Sequence, residues 1–424
     1  MRRYEDITKK IDWITVALFG ALVLIGWLNI YAAVYEEGSG KSIFSMDINS
    51  GKQFIWILFD VILIVVILLL DFRTYESFAY YIFGFFVLFL LGVLFIGVEI
   101  SGARSWFDLK LFLFQPSEFA KFATALALAK FMSHYNFKFG KLKNQLIIAT
   151  IVGAPALLIL MQPDAGTTMI FAGFAIVLYR EGMSPFLIIM GFLAVALFMI
   201  TLFVDPTYLL FAIIGIGTTV TIFIIAISKK KVKNSLISIA ITLVVGGVVL
   251  SVDKILSDVL QPHQQNRVKT LVDPGIDPKG AGYQVLQSKM AIGSGGFSGK
   301  GFLNGSLTKL DYIPFQSTDF IFCTLGEEHG WLGSFIIIVL FLALFIRVIN
   351  ISERQKSRFA RIYGYGVASI MFMHFAINIA MTIGLFPVIG IPLPFLSYGG
   401  SSLWAFTILL FILIKLDAHR MQIL

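Results

Sequence analysis

Two aspartates in the longest polar interval of this sequence could supply a carboxylate for acid–base chemistry. Asp273 and Asp277 each precede a proline within residues 253–319, which also carry amides, basic residues and a glycine-rich run. A carboxylate can act as a general base that accepts a proton from a hydroxyl nucleophile. Asp is also common in turns, because its side chain bonds nearby backbone groups. The residues alone leave Asp273, Asp277 or neither as the catalytic group.

A second set of charges lies within apolar sequence. Glu118 and Lys121, in QPSEFAK, share one face of a helix predicted to begin near Pro116. Charges inside a membrane helix face protein or water and are candidates for function, and a buried structural ion pair is the alternative. Asp164, in QPDAGTT, is placed to cap the start of the next helix or to join this charged pair.

Neutral polar groups follow near the C-terminal end. The connection GLFPVIGIPLPFLSYGGSS is dense in Pro and Gly, which break helices, and such backbone cannot face lipid directly. We therefore predict a re-entrant or pocket-lining loop in which Ser397 and Ser401 supply hydrogen-bonding groups. His374 and Asn378 lie on one face of the preceding helix, where hydrogen bonding between helices is the favoured interpretation.

The elements that must position these groups are membrane helices. The chain has 424 residues, of which 58% are hydrophobic and 14% are charged, far from the balance of a soluble domain. Apolar runs recur throughout, several of them needing flanking residues to reach the roughly 20 that a bilayer requires. We predict an all-α polytopic membrane protein with about 10–12 transmembrane helices. The runs lie near residues 13–34, 54–70, 80–98, 119–132, 146–161, 168–179, 186–204, 208–227, 236–252, 332–349, 362–385 and 403–414.

Positive charges predict the orientation of these helices. The net charge of +8 comes from Lys and Arg that cluster at every second connection, a pattern that argues against nucleic-acid binding. Placing the clusters in the cytoplasm puts both termini there and leaves residues 253–319 as a large extracytoplasmic loop. The first apolar run is too long for a signal-peptide core and is followed by further spans.

Several other sites are not supported by the sequence. Cys323 is the single cysteine, and the five histidines lack ligand-like spacing, so a dedicated zinc or haem site is not expected. GSGGFSGKG fails the phosphate-loop pattern at Ser294 and the dinucleotide pattern at Ser298. We interpret its glycines as sites of flexibility or of close packing against a ligand.

The motifs together resemble the SEDS family of bacterial peptidoglycan glycosyltransferases. QPSEFAK, QPDAGTT and FPVIGIPLPFLSYGGSS carry the resemblance, with DPKGAGYQVLQS and TDFIFCTLGEEHGWLG, and they occur in the family's order over most of the chain. Within the family, GAGYQVLQS and GKGFLNGSLTKLDYIP are more similar to the rod-shape members than to the division members. We interpret residues 1–424 as one membrane domain, with residues 205–252 as an extra transmembrane hairpin beyond the family's usual ten spans.

The resemblance implies polymerisation of lipid II for cell elongation and shape, at the outer face of the bacterial cytoplasmic membrane. Asp277 would be the catalytic base, and the polyprenyl pyrophosphate would leave from an inverted anomeric centre. Implied partners are a class B penicillin-binding protein and elongation-complex membrane proteins. No cofactor is certain, and a divalent cation, Mg²⁺ or Mn²⁺, stays open. Supporting or substrate-binding residues would be Glu118, Lys121, Asp164, Arg104, Trp106, Arg267, Gln287, Ser397 and Ser401.

The sequence departs from the family's pattern at one position and is compatible with three competing functions. The family usually carries Arg immediately before the Trp of the second outer loop, but that position is Ser105 here and the charge is at Arg104. A flippase or transporter for the same lipid precursor is one competing function, since intramembrane charges also suit a translocation path. The second is that of the division paralogue, and the third is that of a scaffold that only recruits the penicillin-binding protein.

Overall fold

The structure is a computed structural model that describes residues 10–36, 40–100, 102–110, 112–228, 231–254, 262–277, 280–309 and 312–422. Helices dominate these residues, and short 3-10 turns occupy Phe171–Gly173 and Pro274–Ile276. The helices are α1 Trp13–Ala33, α2 Asn49–Leu69, α3 Phe72–Ile96, α4 Pro116–Ser133, α5 Leu142–Leu160, α6 Ala165–Ile170, α7 Phe174–Arg180, α8 Pro185–Phe203, α9 Pro206–Ile227, α10 Lys231–Lys254, α11 Pro262–Lys269, α12 Ala281–Ser294, α13 Ser306–Lys309, α14 Ile321–Glu353, α15 Arg358–Thr382 and α16 Gly400–Ala418.

The helices match the apolar runs of the sequence. Among the described residues, nine helices are long and apolar enough to cross a membrane, namely α1, α2, α3, α5, α9, α10, α14, α15 and α16. Ala165–Arg180 and Ile188–Phe198 are shorter apolar segments. Helix α4 is largely apolar, and its charged residues are Glu118, Lys121 and Lys130. The chain is therefore an integral membrane protein of the helical class, as predicted.

The chain forms two compact units. One combines the described residues up to Met183 with those from Gln284 onward, and the other comprises Ser184–Tyr283. Within the second unit α9 packs along α10, and Thr221 Oγ1 donates a hydrogen bond to Ser238 Oγ at 3.0 Å. Two helices thus occupy the region predicted as an extra hairpin, while the interpretation of the chain as one domain stays a prediction.

Helix α4 lies in the core of the first unit. Nearly all of its side chains are buried, and it packs against α3, α15 and α16. Its alanines leave room for a close approach, since a Cβ atom on Gly366 of α15 would lie only 3.2 Å from Ala125 Cβ. Small residues at helix contacts are typical of membrane bundles. This packing carries the first turn of α4, with its charges, into the protein interior.

A small β-sheet that the sequence analysis did not predict joins α3 to α4. Strands β1 (Val98–Ile100), β2 (Ala103–Asp108) and β3 (Leu113–Phe114) pair antiparallel in the order β1-β2-β3. The sheet is too short to change the helical class of the fold. It determines which side chains of the connection between α3 and α4 point inward, because neighbours along a strand face opposite sides.

The glycine-rich run packs against α14 through backbone contacts. Gly330, at φ +61°, interrupts α14, and Trp331 N beyond it donates to Gly296 O at 2.9 Å. A Cβ atom on Gly295 would lie 2.0 Å from Gly326 O. The absence of side chains thus permits close packing, as the sequence analysis allowed, but the surface contacted is α14. The polar interval is also partly helical, since it contains α11, α12 and α13.

Candidate active site

A buried ion pair joins the first two turns of α4 in the first unit. Pro116 begins the helix, and Lys121 Nζ lies 2.8 Å from Glu118 Oε2. Each side chain is only 2% exposed. The Glu118 carboxylate also lies at the positive end of the helix dipole, which favours a negative charge. The predicted sharing of one helix face is therefore realised as a fully buried pair.

Lys121 is enclosed by groups from two other helices. Its Nζ atom lies 2.7 Å from His374 Nε2 on α15 and 5.0 Å from the centre of the Phe406 ring on α16. The His374 ring meets the same Phe406 edge-to-face at 4.7 Å. These groups and Glu118 surround the ammonium, so direct contact between Lys121 and a substrate requires one of them to move.

Asp164 caps a helix and also belongs to this charged cluster. Its Oδ1 accepts from Thr167 N at 2.9 Å, and its Oδ2 accepts from Thr167 Oγ1 at 2.8 Å and from Gln115 Nε2 at 3.4 Å. Burial raises the pKa of the Asp164 carboxyl; the Thr167 bonds oppose that rise, the Glu118 charge adds to it and the Lys121 charge opposes it. The structure thus brings Glu118, Lys121 and Asp164 together, although their roles stay predictions.

The two serines predicted to contact substrate make internal hydrogen bonds. Ser401 Oγ accepts from Gln115 N at 3.3 Å and donates to Leu113 O at 3.1 Å. Ser397 Oγ donates to Thr318 O at 2.6 Å. Both side chains are buried. Ser401 therefore lies beside the charged cluster, whereas Ser397 ties the Pro/Gly-rich connection to the segment before α14.

Arg104 and Trp106 lie on strand β2. Arg104 is exposed and Trp106 is half-buried, while Ser105 between them is only 2% exposed. Side chains alternate along a strand, so an arginine at position 105 would point to the buried face. The backbone N–H of Arg104 donates to Gln162 O at 3.2 Å, which joins the sheet to the turn before Asp164. The displaced arginine thus keeps its charge accessible.

Both candidate aspartates of the second unit cap local structure. Asp273 is exposed, and its Oδ1 accepts from Gly275 N at 2.8 Å within the 3-10 turn. Asp277 is half-buried, and its Oδ2 accepts from Ala281 N, the first residue of α12, at 3.0 Å. Helix α11, which carries Arg267, packs against the same 3-10 turn. The turn role considered from the sequence is therefore real for both aspartates, and it leaves the catalytic role of Asp277 a prediction.

Gln287 lies on α12. Its neighbour Ser288 donates to Thr382 O at 2.8 Å, which docks α12 on the end of α15. Within the described part of the chain, the buried Gln287 Oε1 atom has no hydrogen-bond partner. An amide oxygen in this state can accept a hydrogen bond from a donor that reaches it, and the substrate contact of Gln287 stays a prediction.

Glu327 of α14 is a buried carboxylate outside the predicted set of site residues. Glu327 Oε1 lies 2.7 Å from Lys300 Nζ, and the carboxylate also accepts from Leu307 N and Thr308 N, both at 3.0 Å. The side chain is fully buried. A single carboxylate thus organises the end of the glycine-rich run and the start of α13. The paired acids in GEEHGW were the available signal.

Asp60 of α2 was also missed. This side chain is 2% exposed, and its Oδ2 accepts from Thr407 Oγ1 of α16 at 3.0 Å. The signal was one acidic residue inside an apolar run, which by itself is a candidate for function or for helix pairing. Here Asp60 links α2 to α16.

This chain is similar to known proteins over nearly its whole length. The family model FTSW_RODA_SPOVE, described as Cell cycle protein, matches residues 11–213 and 195–422. "Peptidoglycan glycosyltransferase MrdB" of Escherichia coli (strain K12) is 32% identical over 98% of this chain and 98% of its own length. "Peptidoglycan glycosyltransferase RodA" of Treponema pallidum (strain Nichols) is 32% identical over 97% of this chain and 98% of its own.

A solved structure is similar over almost all of the chain. It is described as "Structural coordination of polymerization and crosslinking by a peptidoglycan synthase complex". The similar chain in that structure is 26% identical to this one and superposes with a TM-score of 0.69. The match covers 97% of this chain and 99% of the other.

Proposed function

Because this chain belongs to the SEDS family, whose model carries the names FtsW, RodA and SpoVE, we propose that it is a peptidoglycan glycosyltransferase that polymerises lipid II. Relatives that bear the enzyme's name are 32% identical over nearly the whole chain, and this observation carries the proposal. The names MrdB and RodA favour a role in elongation and cell shape. The distribution of Lys and Arg supports cytoplasmic termini in a bacterial cytoplasmic membrane, with residues 253–319 outside.

The reaction joins the hydroxyl of one sugar to the anomeric carbon of another. Asp277 accepts the hydroxyl proton, the new C–O bond forms, and the bond to the polyprenyl pyrophosphate breaks with inversion. General-base catalysis of this kind is worth roughly 10²- to 10⁴-fold in rate. Asp277 suits the task because it is half-buried and the N-terminus of α12 orients it through Ala281 N. Pyrophosphate departs as an anion, so the step needs no second carboxylic acid.

Cations stabilise the departing pyrophosphate. Arg267 is half-buried in the same unit as Asp277, and Arg104 is exposed on β2. A guanidinium can bind phosphate oxygens with two parallel hydrogen bonds, which gives orientation as well as charge. We assign the direct contact to Arg267. A contact from Arg104 stays a prediction of the sequence, as does a supporting electrostatic role for Lys121, which Glu118 and His374 enclose.

A divalent cation would fit this step if the substrate brings part of the coordination shell. In the ranges that the structure describes, no three His, Cys, Asp or Glu side chains group as metal ligands. Mg²⁺ is commonly held by one or two carboxylates together with substrate phosphates. We propose that Mg²⁺ or Mn²⁺ would bind to the pyrophosphate with few protein ligands.

The partner we propose is a class B penicillin-binding protein, which would crosslink the strands as they form. The solved complex that coordinates polymerization with crosslinking supports this proposal. Other membrane proteins of the elongation machinery are further proposed partners.

The decisive experiment compares two isosteric variants in polymerisation of purified lipid II. Asp277→Asn keeps a helix-capping oxygen but cannot act as a base, so polymer should be lost while thermal unfolding is unchanged. Asp273→Asn is the matched control and should polymerise normally. Polymer from Asp277→Asn contradicts the assignment, and loss in Asp273→Asn alone transfers it to Asp273. Wild-type protein that translocates lipid II without making polymer would establish the flippase alternative.

A further inference from the structure

His374 has a single arrangement of its ring protons in this structure. Lys121 Nζ lies 2.7 Å from His374 Nε2, and an ammonium can only donate, so Nε2 must accept. The other ring nitrogen, Nδ1, lies 3.2 Å from Pro392 O, which can only accept, so Nδ1 carries the proton. The ring is therefore neutral and makes two directed bonds, one to the charged pair and one to the Pro/Gly-rich connection.

The connection that His374 touches is held at several further points. Asn378, one helical turn along α15, donates to Ile391 O at 2.7 Å and to Asp319 O at 2.8 Å. Leu393 N donates to Ser397 Oγ at 2.8 Å. Residues 391–397 thus form a braced segment, and a displacement of that segment would move the acceptor of the His374 Nδ1 proton.

We propose that His374 is a positioning residue, which fixes the direction of the Lys121 ammonium and links it to the braced segment 391–397. The proposal rests on the proposed function, in which Lys121 supports departure of the pyrophosphate. Without the Nε2 acceptor, the flexible four-carbon side chain of Lys121 loses its contact on α15 and keeps, among the described residues, Glu118, the Phe406 ring and the charge of Asp164. His374 itself contacts no substrate and takes no proton in the reaction.

Two substitutions separate the two bonds of the ring. His374→Gln places an amide oxygen near the Nε2 position, so it keeps the acceptor for Lys121 and loses the bond to Pro392 O. His374→Asn places an amide N–H near the Nδ1 position, so it keeps the bond to Pro392 O and loses the acceptor for Lys121. His374→Leu loses both bonds, and Ser369→Ala, which removes a buried hydroxyl bonded only within α15, is the control.

The first readout is steady-state polymerisation of lipid II by the full-length protein. His374→Asn and His374→Leu should lower kcat by about 10²-fold with little change in KM, since small misplacements of a supporting group have effects of that size. His374→Gln should restore most of kcat, and Ser369→Ala should resemble wild type. Equal activity in all three His374 variants and wild type overturns the proposal. Equal loss in the three variants, with equal loss of thermal stability, shows a packing role only and also overturns it.

The second readout does not depend on activity. Hydrogen–deuterium exchange of the peptide covering residues 386–399 should accelerate in His374→Gln and His374→Leu and stay at the wild-type rate in His374→Asn. Exchange that is the same in all variants contradicts the link to this segment. If wild-type protein makes no polymer from lipid II, the proposed function fails, while the exchange pattern still tests the positioning of the segment by His374.

Discussion

Removal of one or both charges of the buried pair distinguishes a structural ion pair from a functional one. Lys121→Met leaves the Glu118 carboxylate buried without its cation, a change that costs about 3–5 kcal/mol in buried pairs. The N-terminus of α4 offsets up to about 2 kcal/mol of this loss, because it favours a carboxylate in the first turn. We therefore expect Lys121→Met to destabilise the protein by about 3 kcal/mol.

The partner substitution and the double variant complete the cycle. Glu118→Gln should cost less, about 1–2 kcal/mol, because His374 and the Phe406 ring still stabilise the ammonium. Lys121→Met with Glu118→Gln removes both charges of the pair and should approach wild-type stability. With losses of about 3 and 1–2 kcal/mol in the single variants and little loss in the double variant, the cycle should show a coupling of about 4–5 kcal/mol between the two residues.

The assay measures thermal unfolding and lipid II polymerisation on the same detergent preparations. If Lys121 supports pyrophosphate departure, the double variant regains stability but not kcat. A double variant that regains both would refute the functional role and leave the pair structural. Lys121→Met with wild-type stability would refute the electrostatic reasoning itself. Lys130→Met is the control on the same helix, since Lys130 is less buried and bonds only a backbone oxygen and an aromatic ring.

Two further predictions concern the packing of the glycine-rich run and the Asp12 ion pair. Gly295→Ala should lower stability by about 1–3 kcal/mol, because its Cβ would lie 2.0 Å from Gly326 O, whereas Gly293→Ala, with open space around its Cβ, should be tolerated in the same thermal-unfolding assay. Burial tends to raise the pKa of Asp12, but hydrogen bonds, first from Arg347 at 2.6 Å, hold it well below its ordinary value of 3.8. This stabilisation is complete above about pH 4 and is lost as pH falls further, because the unfolded state then binds more protons. As the pH is lowered from 6 to 3, the melting temperature should therefore fall less steeply for Arg347→Met than for the wild type. Equal slopes in the two proteins would contradict this pairing.

The helical class of the fold and the pairing of Glu118 with Lys121 follow from local sequence. Runs of apolar residues near the length of a bilayer span form helices, because backbone groups in lipid must bond within their own segment. Pro116, Glu118 and Lys121 lie within two turns of one helix, so their spacing alone places the two charges on one face. The position of Asp164 before an apolar run likewise predicts that it caps the start of a helix. These conclusions need no knowledge of which helices are neighbours.

The companions of those charges depend on contacts between distant residues. Position 374 carries no local sign that His374 meets Lys121, since the packing of α15 on α4 decides it. The three-stranded sheet depends on pairing between segments that are too short to show a clear alternation of polar and apolar residues. The ion pair of Glu327 forms only because the chain folds so that Lys300 lies beside it.

The class of fold, the helices and a short set of polar candidates follow from the sequence, because they depend on hydrophobicity and on spacing within a helix. The enclosure of Lys121, the internal hydrogen bonds of Ser397 and Ser401, and the packing of the glycine-rich run on α14 depend on how distant segments pack. Burial and hydrogen-bond partners are properties of the packed chain, whereas a residue's type indicates only which bonds it can make.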